Sequence, residues 1–582
     1  MRHLDFTRRP PAGHAAALWL LAFAGCVAQD ALADEICGRF GKPPEQPNSA
    51  EVGAILDEFL KIPDAPTVVN AIESVPAAGN LPAYCRFKGT VAPQINFELR
   101  LPSGWNGKFL MQGCGGMCGW LNMGATEDSL EKRYAVVNTD MGHSGPPAVA
   151  VWAYDNRSAE LDFAYRSTWA TAVVSKRIAE VFYGVAPKRS YFNGCSTGGR
   201  QGMVAAQRFP ELFDGIIAGA PVLNQTGTGL LHLLWSARAN VAADGKPILS
   251  TAMLERVHAA VIAACDRMDG VADGVIPDPR ACDFKPAALA CRAGAADRSA
   301  SAAIAGGTAT PVTGAAGSAC LTPAELSALS KLYDGARNSS GRLDWAGGGG
   351  LSLGSEYTWS PVFVNEAGKH GLIISSPSLI QQLVQFKAFY LDPGTSMTMM
   401  DFDWDRDVPR LALTESFYNA QNPDLRRFKA RGGKLLAYHG WDDTEVTPGY
   451  SVDYYETATR TMGGPEATRE FYRLFMVPGM AHCRRGNGAD AIDYLDALER
   501  WVEQGEAPEK LLAHKLVKAQ SYLGLPRPRY PLKAEEYRWR RPVFAYPEVA
   551  VYSGKGDSTD PASWKPRRLP IPGAAAVSNR SR

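Results

Sequence analysis

Short apolar runs alternate with helix-length amphipathic segments in the first part of the chain. The predicted strands cover residues 94–101, 108–112, 134–139, 189–192 and 215–219. Helices are predicted at residues 168–183, with Ser167 as the N-cap, and at residues 199–209. Strands that alternate with helices predict an α/β fold with a parallel sheet covered by helices on both faces.

This alternation stops after Leu223, and residues 224–427 instead carry irregular helices, glycine-rich runs and scattered aromatic residues. The later predicted elements are strands at residues 434–438 and 471–477 and helices at residues 449–461 and 490–504. We therefore predict an α/β core of residues 34–223 and 428–582, interrupted by a large insertion at residues 224–427.

The N-terminus has the pattern of a secretory signal peptide. Basic side chains at the start precede an apolar stretch at residues 15–27, which is short for a membrane span. Ala31-Leu32-Ala33 matches an A-x-A cleavage site, so residues 1–33 are predicted to be removed and the mature protein to be secreted or periplasmic. Cys26, which follows Ala-Gly, leaves a lipoprotein as the alternative.

The cysteines agree with export. The sequence has 11 cysteines, and cleavage after Ala33 removes Cys26 and leaves an even set, which favours disulfides. Proximity along the chain predicts four local pairs and leaves Cys195 and Cys483, which are far apart. The predicted local pairs are Cys37–Cys85, Cys114–Cys118, Cys265–Cys282 and Cys291–Cys320.

Composition narrows the class of partner. Apolar residues make up 46% of the chain, charged residues 21%, and the formal net charge is +1. Without a basic excess, binding to nucleic acid is not expected. The sequence instead favours a soluble protein that acts on a small molecule.

Residues 191–199 join an apolar strand to a glycine-rich turn and a predicted helix. Ser196 is the centre of a G-x-S-x-G pattern, in which a sharp strand-to-helix turn lifts the serine hydroxyl clear of the sheet. The helix N-terminus offers free N–H groups to an oxyanion, first that of Thr197. The segment predicts a serine nucleophile, with a cysteine hydrolase that uses Cys195 as the alternative.

A serine nucleophile needs a base and an acid that orients the base, and in this type of fold the acid and then the histidine follow the serine along the chain. Asp442 and Asp443 follow one predicted strand and His482 follows the next, in that order. Spacing alone does not choose between the two aspartates. The glycine-rich loop at residues 113–119 follows an early strand and is the predicted source of a second oxyanion donor.

Residues 265–275 bring together three carboxylates, those of Asp266, Asp269 and Asp273, among glycines. Such a cluster suits a hard cation such as calcium. The terminal glutamate of an EF-hand is missing, and a solvated acidic turn is the alternative. A structural role is expected, because nothing nearby resembles an open catalytic metal site.

These motifs together resemble the tannase and feruloyl esterase family, from about Cys37 to about Tyr546. The resemblance rests on the Ser196 turn, the acidic loop that begins at Cys265, and two histidine motifs, His439-Gly440-x-x-Asp443 and Pro478-Gly479-Met480-x-His482-Cys483. It implies an α/β-hydrolase fold in which the insertion is a lid domain. It also implies a serine carboxylic-ester hydrolase that acts on aromatic-acid esters, such as feruloyl or galloyl esters.

The resemblance further implies specific roles for site residues. It selects Asp443 as the acid beside Ser196 and His482, and it pairs Cys195 with Cys483 in a disulfide. It places the second oxyanion N–H at Gly116, beside that of Thr197. It also implies structural calcium in the lid, with ligands from Asp266, Asp269, Asp273 and the carbonyls of Val271 and Val275.

Two alternatives to that function remain open at this stage. One is hydrolysis of mono(2-hydroxyethyl) terephthalate, an activity also found in this family. The family member with that activity holds the substrate carboxylate with a lid arginine. Near the corresponding position this chain has Ile373 and no arginine, and a buried carboxylate without a cation is costly. The other alternative is a calcium-stabilised binding protein for an aromatic ligand. Aromatic residues of the insertion form either a pocket for such a ring or ordinary core: Trp359, Phe363, Phe386, Phe389 and Tyr390.

Overall fold

The computed structural model describes Cys37 and residues 60–147, 151–244, 246–291, 320–341, 349–359, 401–519 and 528–572. Within these residues a nine-stranded sheet has the order β1-β2-β3-β5-β4-β6-β7-β8-β9. Its strands are β1 (Thr67–Val75), β2 (Tyr84–Val91), β3 (Ile95–Pro102), β4 (Lys108–Gln112), β5 (Ala135–Thr139), β6 (Arg189–Cys195), β7 (Gly215–Gly219), β8 (Lys434–Gly440) and β9 (Tyr472–Val477).

The sheet is mixed. Strands β1, β2, β3 and β5 pair antiparallel, whereas β5, β4, β6, β7, β8 and β9 pair parallel. The predicted parallel sheet is therefore correct for the later strands and wrong for the N-terminal ones. Strands β5, β7 and β9 are buried along their whole length, as expected for parallel strands covered on both faces.

The α-helices alternate with the strands or belong to the insertion. They are α1 (Glu127–Glu131), α2 (Arg157–Leu161), α3 (Ser167–Tyr183), α4 (Thr197–Arg208), α5 (Leu233–Ala239), α6 (Thr251–Cys265), α7 (Pro323–Asp334), α8 (Ala412–Tyr418), α9 (Arg426–Ala430), α10 (Gly449–Thr461), α11 (Pro465–Arg469) and α12 (Tyr494–Gln504). Asp162–Arg166 and Gly227–His232 are π-helical. Ser167 was expected to cap α3, and this is wrong, because the π-helical segment continues directly into α3 and buries Ser167.

Successive side chains of the parallel strands enter two separate cores. Phe192 and Ile216 pack on one face with residues of α3, α4 and α10. Tyr191 and Ile217 pack on the other face, against α12 through Leu498. This alternation is the period of two that a strand imposes, and it explains why these strands read as continuous apolar runs.

The described part of the insertion has a hydrophobic core of its own, which includes α6, α7 and the buried Trp359. The two ends of the insertion meet, because Ala420 N–H donates to Leu223 O at 2.7 Å and Gln225 N–H donates to Asn419 Oδ1 at 2.8 Å. These contacts bring residues 223–225 and 419–420 together at one place.

The C-terminal part adds two antiparallel pairs that the sequence pattern did not predict. These are β10 (Lys510–Leu516) with β11 (Tyr537–Phe544), and β12 (Val549–Tyr552) with β13 (Trp564–Arg567). In the part of the chain that the structure describes, no helix has the length and apolar character to cross a membrane. The proposed signal peptide lies outside the described residues, as do Ile373 and the aromatic residues Phe363, Phe386, Phe389 and Tyr390.

Candidate active site

Ser196 occupies the sharp turn between β6 and α4, with φ +65° and ψ −124°. A residue with a side chain rarely adopts this conformation, so the turn must be held by its surroundings. Ser196 N–H donates to Gly219 O at 2.9 Å, and Ser196 O accepts from Arg200 N–H at 3.0 Å. Strand β7 and the first turn of α4 therefore fix the backbone of the predicted nucleophile.

Glycines on both sides of Ser196 let the strand and the helix approach closely. A Cβ on Gly194 would lie 2.5 Å from the carbonyl carbon of Gly198, and one on Gly199 would lie 2.2 Å from Gly219 O. Both distances are shorter than van der Waals contact, so these two positions admit only glycine. Gly194 of the G-x-S-x-G pattern and Gly199, which directly follows the pattern, are therefore packing requirements of this turn.

Asp443 and His482 lie on the loops that follow β8 and β9, at the same edge of the sheet as Ser196. His482 Nδ1 lies 2.7 Å from Asp443 Oδ2. Asp443 is fully buried, and its Oδ1 accepts the N–H groups of Glu445 at 3.0 Å and Val446 at 2.9 Å. The carboxylate is thus fixed by its own loop and directed at the imidazole.

A second histidine holds the same carboxylate. His439, at the end of β8, places Nε2 3.1 Å from Asp443 Oδ2 and 2.9 Å from Val446 O, and Nδ1 2.7 Å from Ser451 Oγ. Because Nε2 faces two acceptors, it carries the proton, and Nδ1 accepts from the Ser451 hydroxyl. Sequence reasoning did not assign this role, although the His-x-x-x-Asp spacing of the motif is its signal.

The pair of Asp443 and His482 is electrostatically coupled. Burial alone would raise the pKa of Asp443, but the charge of His482 and hydrogen bonds from His439 and His482 hold it well below its usual range. Burial would lower the pKa of His482, but the charges of Asp443 and then Glu445 raise it to about 9. Glu445 Oε2 lies 3.9 Å from His482 Nε2, on the side of the ring opposite Asp443. The carboxylates favour the imidazolium, the species that forms when the base takes a proton.

Cys195 and Cys483 form a disulfide with a Cα–Cα distance of 6.0 Å. The bridge joins the residue before Ser196 to the residue after His482, across 288 positions of sequence. Within the described residues the Ser196 hydroxyl makes no hydrogen bond, and catalytic hydrogen bonds of this kind commonly tighten only when substrate binds. Since the sulfur of Cys195 is bonded, the alternative of a Cys195 nucleophile does not fit the structure.

The two predicted oxyanion residues are in contact. Thr197 Oγ1 donates to Gly116 O at 2.6 Å. Thr197 is the first residue of α4, so its N–H has no partner within the helix. Gly116 has φ +59°, and a Cβ there would lie 2.5 Å from Pro147 O. The loop after β4 is therefore held against the start of α4, the helix that begins next to Ser196.

His143 also contacts the loop that carries Gly116, and sequence reasoning did not predict this contact. Its Nε2 lies 2.6 Å from Met117 O, and its ring stacks on Trp152 with a centroid distance of 3.8 Å. Burial lowers the pKa of His143 to about 4, so the ring is neutral near pH 7 and Nε2 carries the proton that Met117 accepts.

Together these groups are of the kinds that acyl transfer requires: a hydroxyl on a strained turn, an imidazole oriented by a buried carboxylate, and free backbone N–H groups at the start of the helix that follows the serine. A sequence model described as tannase and feruloyl esterase matches residues 79–566. The chain belongs to the tannase and feruloyl esterase family. The resemblance inferred from the motifs is thereby confirmed.

Relatives within this family span most of the chain. A mono(2-hydroxyethyl) terephthalate hydrolase of Piscinibacter sakaiensis is 33% identical, over 86% of this chain and 89% of that protein. A probable feruloyl esterase B of Emericella nidulans is 30% identical, over 81% of this chain and 83% of that protein. The crystal structure of feruloyl esterase B from Aspergillus oryzae matches with a TM-score of 0.71 at 26% identity, over 88% of this chain and 100% of that one.

Membership of the tannase and feruloyl esterase family settles the coarse level of fold and function. The fold is that of the α/β-hydrolases, as predicted, and a tannin acyl hydrolase from Aspergillus niger shares it, with a TM-score of 0.65 at 22% identity over 92% of this chain and 94% of that one. The chain is a carboxylic ester hydrolase that acts on small-molecule esters.

The other predicted disulfides are also present. The structure joins four more pairs, each close in sequence: Cys37–Cys85, Cys114–Cys118, Cys265–Cys282 and Cys291–Cys320. The Cys114–Cys118 bridge lies in the loop that carries Gly116. The Cys265–Cys282 bridge closes the acidic loop of the insertion.

In the acidic loop, Asp266 Oδ1 accepts the N–H groups of Asp273, Gly274 and Val275. Burial raises the pKa of Asp269 to about 7, so a nearby cation would stabilise its charge. Arg541 supplies a positive charge to this loop, and its Nη2 lies 2.6 Å from Asp273 Oδ2. The oxygen donors suit calcium chemically, but within the described residues no group of three His, Cys, Asp or Glu side chains is arranged to hold a metal ion.

Asp442 and Trp359 were also candidates from the sequence, and their partners indicate structural roles. Asp442 is buried, and Tyr357 O–H donates to its Oδ2 at 2.8 Å. Burial raises the pKa of Asp442 to about 8. Trp359 is fully buried in the core of the insertion, where it packs edge-on against Tyr333 and its Nε1–H donates to Ser355 Oγ. It therefore has the surroundings of a core residue.

Proposed function

We propose that this family member is a secreted serine esterase for esters of aromatic acids, of the feruloyl, hydroxycinnamoyl or galloyl kind, with Ser196, His482 and Asp443 as its catalytic residues. The observation that supports this most strongly is the 2.7 Å contact between His482 Nδ1 and the buried carboxylate of Asp443. That contact lies beside a disulfide whose other end precedes Ser196.

In the proposed mechanism, His482 Nε2 takes the proton of Ser196 as the hydroxyl oxygen attacks the ester carbonyl. Asp443 stabilises the imidazolium and keeps the ring oriented. The N–H groups of Thr197 and Gly116 stabilise the negative charge that develops on the carbonyl oxygen. The imidazolium then gives its proton to the leaving alcohol, and water repeats the attack on the acyl-enzyme and regenerates Ser196.

Hydrolysis of a terephthalate monoester is the second candidate, and the relative from Piscinibacter sakaiensis favours it. Glu445 argues against it, since its carboxylate lies 3.9 Å from His482 Nε2 and disfavours an acyl group that carries a second negative charge. The family resemblance places a carboxylate-binding arginine near Ile373, where this chain has no arginine. We therefore expect neutral acyl groups to be preferred.

The purified protein should be assayed with methyl ferulate, methyl gallate, chlorogenate and mono(2-hydroxyethyl) terephthalate. We expect the highest kcat/KM for one of the first three esters and the loss of all turnover in Ser196→Ala, with the melting temperature unchanged. A Ser196→Ala protein that keeps most of its activity would refute the nucleophile. A clear preference for the terephthalate monoester would favour the second candidate.

We also propose that calcium binds the acidic loop and stabilises the insertion, through the side chains of Asp266, Asp269 and Asp273 and the carbonyls of Val271 and Val275. A bound divalent cation would neutralise the buried charge of Asp269. Chelator should then lower the melting temperature and added calcium should restore it, while an Asp273→Asn variant should lose this dependence. Equal melting temperatures with and without chelator would rule out the proposed site.

Export through the signal peptide is part of the same proposal. The five disulfides agree with an oxidising compartment. N-terminal sequencing of the exported protein should give Asp34 as the first residue, and a mature chain that retains Cys26 with an attached lipid would instead support the lipoprotein alternative.

A further inference from the structure

One turn of the insertion, Glu356–Thr358, contacts both loops that carry the predicted acid and base. The Tyr357 hydroxyl donates to Asp442 Oδ2 at 2.8 Å, next to Asp443 in the chain. The same oxygen accepts Asn487 N–H at 3.0 Å and lies 3.5 Å from Gly479 O, and these two residues flank His482. A single phenol group therefore bridges the two loops.

The neighbouring residue adds contacts to the acid loop only. Thr358 Oγ1 hydrogen-bonds to Thr444 Oγ1 and lies 3.4 Å from Asp442 O. The insertion thus contacts the acid loop on both sides of Asp443, at Asp442 and at Thr444. Tyr357 differs from Thr358 in that it reaches the histidine loop as well.

The turn is itself held firmly by the core of the insertion. Glu356 is fully buried and accepts Tyr333 O–H at 2.6 Å and Gly354 N–H at 2.9 Å, and its other oxygen lies 3.1 Å from His258 Nδ1. The buried Trp359 follows directly. The backbone on either side of Tyr357 is therefore held by the core of the insertion. The position of the Tyr357 hydroxyl at the two loops thus depends on the position of the insertion.

We propose that Tyr357 is a positioning residue, which couples the insertion to the geometry of Asp443 and His482. The inference rests on the proposed function, since it assumes that these two residues are the acid and base. Their loops follow different strands and contact each other directly in two ways, at the 2.7 Å contact and where Asp442 N–H donates to Met480 O at 3.0 Å. A third link that spans both loops restricts the movement of one relative to the other, and small displacements of catalytic groups are costly to rate.

The test is the Tyr357→Phe variant, which removes the hydroxyl and keeps the ring. We expect kcat to fall by about 10- to 100-fold with KM nearly unchanged, because the substrate-binding surface is kept and only the alignment of the base changes. Tyr333→Phe is the matched control. It removes the phenol oxygen that lies on α7 and donates to Glu356 of the turn, a group bonded to neither catalytic loop, and should keep kcat close to that of the wild type.

A wild-type kcat in Tyr357→Phe, or an equal loss in Tyr357→Phe and Tyr333→Phe, would overturn the inference. Should Tyr357→Phe fail to fold, Asp442→Ala removes the acceptor of the same hydrogen bond, and the same fall in kcat at constant KM is expected; a wild-type kcat there would overturn it equally. Ser196→Ala keeps the two proposals distinguishable. Activity in that variant would refute the proposed function, whereas an inactive Ser196→Ala with a fully active Tyr357→Phe would refute the positioning role alone.

Discussion

Asp443 lies between two imidazole rings, and this arrangement gives the predicted acid its charge and its direction. One oxygen faces His439 and His482, and the other accepts two backbone N–H groups. Every lone pair that these donors use stabilises the ionised form, which explains why the pKa stays low despite complete burial. The carboxylate of Asp442, one position earlier, has only a phenol partner, and its pKa is raised instead.

The raised pKa of His482 predicts an alkaline pH profile. An imidazole that is already protonated cannot accept the Ser196 proton, so kcat/KM should rise as pH increases through the folded-state pKa, which is about 9 rather than 6.5. Asp443→Asn should move the midpoint to lower pH and reduce the plateau, and Glu445→Gln should move it less. A pH–rate profile with its acid limb at or below pH 6.5 in the wild type would contradict the assignment.

The oxyanion loop offers a matched pair of glycines. Gly116 has positive φ and no room for a Cβ, whereas a Cβ on Gly115 meets nothing within 4 Å. Gly116→Ala should displace its N–H and lower kcat, at most by the factor of about 10²–10³ that the loss of one such donor costs. Gly115→Ala should behave like the wild type in the same kinetic assay. Equal rates for the two variants would argue against an oxyanion role for Gly116.

Among the elements, three parallel strands deliver the candidate site. Strands β6, β8 and β9 each end at the same edge of the sheet, and Ser196, Asp443 and His482 follow them in turn. The carboxyl edge of such a sheet is where ligand sites of open α/β folds form. The strands place the three loops side by side, and the bridge between Cys195 and Cys483 then joins two of them covalently.

Removing that bridge should affect both stability and rate. It closes 288 positions of chain, so Cys195→Ala/Cys483→Ala should lose about 2–5 kcal/mol of stability and also kcat, because the base is no longer held beside the nucleophile. Cys291→Ala/Cys320→Ala removes a bridge across 29 positions of the insertion and is the control. It should lower the melting temperature while preserving kcat. Native kcat in the first variant would contradict the clamping role.

Sequence patterns predicted the elements that bury continuous apolar runs. Strands β4 and β7 were predicted with the bounds observed, because they are buried on both faces. Strand β1 was missed because it alternates half-buried and exposed residues at the sheet edge. The choice between Asp442 and Asp443 depends on the direction of two adjacent side chains, which spacing does not encode. The contact of Tyr357 with Asp442 joins residues 85 positions apart, and no local pattern signals it.

At the scale of the whole molecule, the insertion and the α/β core each have a main hydrophobic cluster, and the two ends of the insertion meet at one junction. Asn419 closes this junction, since its Oδ1 accepts Gln225 N–H at 2.8 Å and its Nδ2 donates to Asn224 Oδ1 at 3.0 Å. Leu223 and Ala420 complete it through their backbones. The insertion also reaches the catalytic loops through Tyr357 and through His232, whose Nε2 lies 2.9 Å from Thr444 O, so its position is fixed at several places.

The junction can be tested through stability. Asn419→Ala leaves half-buried polar groups without partners, and we expect a loss of about 1–3 kcal/mol in the free energy of unfolding. Asn422→Ala, three residues further on, removes an exposed side chain that bonds only to Asp424 N–H, and should change stability by less than about 0.5 kcal/mol. Thermal or denaturant unfolding of both proteins makes the comparison, and equal stability of the two variants would show that Asn419 does not close the junction.

The central claim is that Ser196 is an activated nucleophile beside His482 and Asp443, and covalent labelling tests it most directly. The native protein should be treated with a fluorophosphonate and analysed by intact and peptide mass spectrometry. We predict one adduct per chain, on the peptide that contains Ser196, which forms much more slowly in His482→Ala and is absent in Ser196→Ala. A protein that hydrolyses its ester substrate but remains unlabelled, or that carries the adduct on another residue, would contradict the account.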